Sequence, residues 1–83
     1  MDTKNAGDSM AHGLIRATII PDIVKLISED YQMPEEEALD KFYTSITAQN
    51  LSDDKTGLYG QSALYIFSLF MEEYMEDKLL RLL

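Results

Sequence analysis

Residues 63–71, ALYIFSLFM, are apolar or aromatic except for Ser68. Wound into a helix, Leu64, Tyr65, Ile66, Phe67, Leu69, Phe70 and Met71 point in nearly every direction around the axis. A helix apolar on all sides is normally buried on several of them. The run is too short to span a bilayer, and Glu72 and Glu73 follow it directly. Its cover must come from a chain of only 83 residues. A domain of that size buries only about two thirds of its unfolded surface, so its core is thin.

Two further helical segments are legible. Ile20, Ile23, Val24, Ile27 and Tyr31 recur at steps of three and four, which sets them along one stripe, while Asp22, Lys25, Glu29 and Asp30 occupy other faces. Pro21 leaves the start of this helix open. Either Thr18 begins it with Pro21 in the first turn, or a helix from about Ala11 kinks there. Pro34 suits the first position of a second helix, and Glu35, Glu36 and Glu37 place negative charge at its positive dipole end. Ala38, Leu39, Phe42, Tyr43 and Ile46 form its predicted buried stripe. Thr44, Ser45 and Thr47 lower helix propensity, which predicts an end near residues 45–48.

Between these helices and the apolar one lies SDDKTGLYGQSALY, residues 52–65. Ser52, Asp53 and Asp54 suit the capping of a short helical turn, Gly57 permits the positive φ that ends it, and Leu58 with Tyr59 leads back toward the core. Ser62 or Gln61 then opens the last helix, whose C-terminal Lys78 and Arg81 suit its negative dipole end. The expected fold is all-α: a small bundle of three main helices plus a short helical turn, with the last helix central. Residues 1–13 lack apolar periodicity and read as a disordered N-terminal arm, leaving residues 14–83 as a single helical domain.

Two short amphipathic helices cover about two sides of the third. Either Leu51, Leu58 and Tyr59 fold back over the remaining face, or a second surface covers Tyr65, Leu69 and the tail leucines Leu79, Leu80, Leu82 and Leu83. Self-association into a homodimer supplies such a surface, and these six residues are the candidate interaction site. Met33, Met71 and Met75 read as adaptable core filling.

Charge narrows the partners. Fifteen acids against seven Lys and Arg give a net charge of −8, with nine acids and four bases in residues 1–50 and six and three in residues 51–83. Such a chain repels phosphate, which argues against nucleic acid and leaves a basic protein as the complementary partner. No membrane partner is expected. The polar, acidic opening MDTKNAGDSM lacks the pattern of a secretory signal and points to the cytoplasm. Without cysteine there is no disulfide framework or thiolate zinc site.

Catalytic and cofactor chemistry finds little footing, and the expectation is a protein that is no enzyme, with no catalytic, cofactor-binding or metal-binding residue. Aligning Gly57 with the invariant glycine of a calcium loop puts Ala63 where a bidentate Glu is needed. His12 is the one histidine, expected as a solvated side chain in the arm, and it supplies neither a histidine metal site nor an intrachain Ser-His-Asp triad. The glycines at 57 and 60 form no GxxxxGK[ST] phosphate loop. A helix-turn-helix across Gln32 to Pro34 would begin its reading helix with three glutamates, the wrong sign for phosphates. GDSM, residues 7–10, resembles the phosphopantetheine tetrapeptide of acyl carrier proteins but lacks the helix that precedes it there.

The segments ISEDYQMPEEEALDKFYTS and DDKTGLYGQSALYIFSLFMEEY resemble a group of small all-helical bacterial proteins of uncharacterised function. In these an "EEAL..FY" helix precedes a "TGLY..S" turn and an aromatic last helix. The likeness covers residues 27–74 and implies a helical fold without naming a chemistry. A more distant likeness is to helical proteins encoded beside ADP-ribosyltransferase-like toxins, which implies an antitoxin or regulator. Three functions remain open: a self-associating acidic interaction module, a regulator of a toxin-like enzyme, and a small-molecule binder or enzyme with a site between subunits. For the last, Tyr43, Tyr59, Tyr65, Asp53 and Asp54 are the first candidates.

Overall fold

The computed structural model of the protein describes the backbone of residues 3–83 and the side chains of residues 11–83. The chain is all-α. Among the described residues it has four α-helices, α1 (Thr3–Tyr31), α2 (Glu35–Tyr43), α3 (Ile46–Ser52) and α4 (Ala63–Leu82), with 3-10 turns at Asp54–Thr56 and Leu58–Gly60 between the last two. Three main helices were expected, and α3 is the addition. The weak formers around Thr44 do end α2, but Ser45 then starts a new helix. Its buried Oγ accepts from Ala48 N at 3.0 Å and donates to the Phe42 carbonyl at 2.5 Å. A hydroxyl at that position satisfies an N–H that the helix itself leaves without a partner.

α1 runs unbroken through Pro21. Of the arm expected over residues 1–13, the side chains of the first ten lie outside the described residues, and Ala11 to Gly13 are helical. The helix stops at Gln32, whose φ of 52° is left-handed. There the N–H of Met33 reaches back to the Ser28 carbonyl at 3.1 Å, the long bond of a Schellman ending. α2 follows after Pro34, with Glu35, Glu36 and Glu37 in its first turn.

Among the described residues ten apolar side chains make the core: Ile23, Val24 and Ile27 from α1; Ala38 and Phe42 from α2; Ala48 and Leu51 from α3; Ile66, Phe67 and Phe70 from α4. α1 packs on both α2 and α4, and α3 bridges α2 and α4, so the centre is shared between the first and last helices. The α1 stripe is the expected one, with Ile20 and Tyr31 half-buried at its ends. The α2 stripe is narrower than expected. Only Ala38 and Phe42 are buried, while Leu39 and Tyr43 stand in solvent, because a helix this short presents just one i, i+4 pair inward; Ile46, also exposed, belongs to α3 and not to this stripe. Met75, expected as core filling, is also exposed.

The molecule measures 51 × 25 × 18 Å with a radius of gyration of 14.2 Å. A compact domain of this length has a radius of about 12 Å. The long axis reflects α1 and α4 reaching past the short helices, which leaves every residue of α4 from Met75 onward exposed.

Candidate functional site

Leu58 and Tyr59 do fold back against the core, and Leu51 is buried within α3. They leave much of α4 uncovered. Leu79 is 59 % exposed, Leu80 68 % and Leu82 83 %, with Leu83 open beyond them. Tyr65 is exposed and Leu69 half-buried, nearer the start of the helix. The six predicted interaction residues do not form one continuous strip. At 100° per residue Glu72 and Glu76 share the face of Tyr65, Leu69 and Leu83, and divide it into an upper patch and a tail patch. Exposed Leu64 enlarges the upper patch.

Residues 78–83, KLLRLL, carry two bases and four leucines. Helical geometry gathers the leucines on one arc and puts Lys78 and Arg81 together beside it. Arg81 also pairs with Asp77 one turn back, Nη2 to Oδ2, at 3.0 Å. Both partners are exposed, so this pair adds little to stability.

Grooves flank the helices among the described residues. One of 540 Å³ lies between the α2–α3 turn and α4, bordered by Lys41, Thr44, Tyr74, Leu80 and Arg81. A second, of 420 Å³, is lined by Leu14, Ile15, Ile19 and Ala63. The third lies between α1 and α2, with 520 Å³ over Ile20, Val24 and Leu39.

Two polar clusters that the sequence did not reveal tie the elements together at the edge of the core. In the first, both carboxylate oxygens of Glu73 turn to the start of α3. Oε2 accepts from Ile46 N, and Oε1 accepts from Thr47 N and Thr47 Oγ1, each at 2.8 Å. A side chain of α4 thus caps α3 and fastens it across the core boundary.

The second cluster ties the connecting loop to α1. Arg16 donates from Nε to the Leu51 carbonyl at 2.8 Å and pairs through its guanidinium with Asp54. It also lies over the Tyr59 ring, 5.8 Å from the centroid. His12, expected to be solvated, stacks on the same ring at 3.8 Å. Its Nδ1 lies 3.2 Å from Asp54 Oδ2 and makes no hydrogen bond. The loop therefore acts as an architectural connection, with Asp53 capping its first turn through Lys55 N and Gly57 ending that turn at a φ of 70°. Arg16→Ala should cost about 1–2 kcal/mol, since it removes a charged donor from a carbonyl and frees Asp54. Urea denaturation measures this, and an unchanged midpoint would mean that the loop holds without Arg16.

Of the residues considered for an intersubunit site, Asp54 and Tyr59 meet at Arg16 and His12. Tyr43 borders the α1–α2 groove instead, and Tyr65 faces solvent on α4. Tyr31 contributes a buried hydroxyl without a hydrogen-bond partner, its ring tilted against Tyr74 at 4.9 Å. Burial pushes its pKa above the usual tyrosine value, with smaller contributions from the Asp30 carboxylate and Tyr74. Among the described residues no group of three or more His, Asp or Glu is placed to hold a metal ion, and no helix is long and apolar enough to cross a membrane. No protein-family model, curated protein or solved structure matches the chain.

Proposed function

We propose that the protein is a non-enzymatic interaction module that self-associates through the exposed tail of α4. The observation that carries this reading is the exposure of Leu79, Leu80 and Leu82 together on the last two turns of a helix whose first half gives Ile66, Phe67 and Phe70 to the core. Full burial of one leucine side chain is worth roughly 1.5–3 kcal/mol, so covering several on a second surface offsets part of the cost of association. The acidic remainder of the chain keeps separate assemblies apart and favours a small, closed oligomer.

Exposed positions make the test simple, because their substitution leaves the core intact. Leu79→Glu with Leu80→Glu should weaken self-association at least about tenfold, at one lost leucine contact or more. Light scattering after gel filtration measures the mass, and circular dichroism checks that the helices remain. An assembly mass unchanged by both substitutions would remove the tail from the interface.

A further inference from the structure

The α1–α2 groove has the opposite character to the α4 tail. Its apolar wall is Ile20, Val24 and Leu39, with Tyr43 at one edge. Glu35 and Glu36 stand on its rim, and among the described residues no Lys, Arg or His lines it. Pro21 adds a further acceptor. Proline has no N–H, so the carbonyl of Ala17, four residues earlier in α1, has no donor within the helix. Ala17 and Pro21 both border the groove. An occupant that suits these walls is apolar along one side and cationic along its edge.

The chain carries one such segment. Lys78 and Arg81 are the only two successive bases in the sequence with no acid between them, and the four leucines of residues 78–83 surround them. At 100° per residue these leucines span an arc of about 160°, with both bases on its flank. In its own chain this tail borders a different groove, that of Lys41 and Thr44 on the far side of α2. Resting on the self-association proposed above, we infer that the α4 tail of one copy docks head to tail in the α1–α2 groove of a second. There its leucines cover Ile20, Val24 and Leu39, and Lys78 and Arg81 face Glu35 and Glu36. If the contact is reciprocal the pair closes as a two-fold dimer with two copies of it; otherwise it continues from copy to copy.

Charge exchange tests this docking on the full chain by sedimentation velocity. Glu35→Lys with Glu36→Lys reverses the rim, and Lys78→Glu with Arg81→Glu reverses the tail. Either double variant alone should self-associate roughly tenfold more weakly than the unaltered chain, because each sets like charges across the contact. An equimolar mixture of the two should recover the lost affinity: the reversed rim of one meets the reversed tail of the other, and the unaltered rim meets the unaltered tail. Added salt should weaken the unaltered assembly, since exposed charge pairs are screened beyond about 8 Å at physiological ionic strength.

The outcomes separate the two ideas. If the rim variant assembles as tightly as the unaltered chain while Leu79→Glu with Leu80→Glu is monomeric, self-association stands and the groove is not its receptor. If both reversed variants are weak and their mixture stays weak, the tail and the rim do not meet, and the inference is overturned. An unaltered chain that is monomeric at every concentration removes the self-association and the docking together.

Discussion

Phe42→Ala should remove a large share of the stability of the fold. The Phe42 ring is fully buried and sits 6.0 Å from Phe70 and 6.2 Å from Tyr43 by ring centroids, at the point where α2 meets α4. Truncating a buried phenylalanine costs about 3–5 kcal/mol through lost burial and the cavity left behind. A domain of this length has a total stability of roughly 4–12 kcal/mol at about 0.05–0.15 kcal/mol per residue. α2 has only Ala38 as a second buried anchor, so its docking depends on this ring. Urea denaturation followed by circular dichroism should show a stability lower by about 3–5 kcal/mol, with the midpoint near zero denaturant where the unaltered stability lies at the low end of its range. A midpoint within about 1 kcal/mol of the unaltered protein would mean that α2 is dispensable to the core.

Glu73→Ala should be the most damaging polar substitution, at about 2–4 kcal/mol. It leaves the N–H groups of Ile46 and Thr47 and the buried hydroxyl of Thr47 without their shared acceptor. Buried donors stripped of a partner cost about 1–3 kcal/mol each, and the exposed Ile46 N–H finds water in place of the carboxylate. Negative charge is also lost from the positive end of α3. Glu73→Gln keeps an acceptor oxygen and should cost about half as much, which separates the cap from simple packing. Hydrogen exchange localises the effect: amides of α3 should exchange faster in Glu73→Ala while those at the centre of α1 keep most of their protection. Uniform loss of protection would place Glu73 in the global core and not at a local cap.

These two positions differ in how far the sequence announces them. Phe42 falls on a visible period with Ala38, as Ile23, Val24 and Ile27 do in α1, and such spacing identifies the inward face of a helix. Periodicity does not say how wide that face is. Leu39 and Tyr43 sit within the same apolar pattern and remain exposed, because the width is set by how many neighbours reach a nine-residue helix.

Glu73 is invisible to any local pattern. It lies in an acidic stretch that reads as a solvated face, and the donors it serves are 26 and 27 residues away. His12 and Arg16 are hidden for the same reason: their partner Asp54 is brought to them by the loop's path over α1, 38 residues from Arg16. α3 was missed because Thr44, Ser45 and Thr47 lower helix propensity wherever they occur. Whether such residues end one helix or begin the next depends on where their hydroxyls point. What the sequence did reveal was an excess of apolar surface on α4. The fold leaves that excess in solvent at the tail.

Sedimentation equilibrium of the unaltered full chain over a wide concentration range tests the central claim most directly. Self-association predicts an average mass that rises with concentration from one chain of 9.5 kDa toward a small multiple of it. A mass that stays at a single chain up to the highest soluble concentration would contradict it.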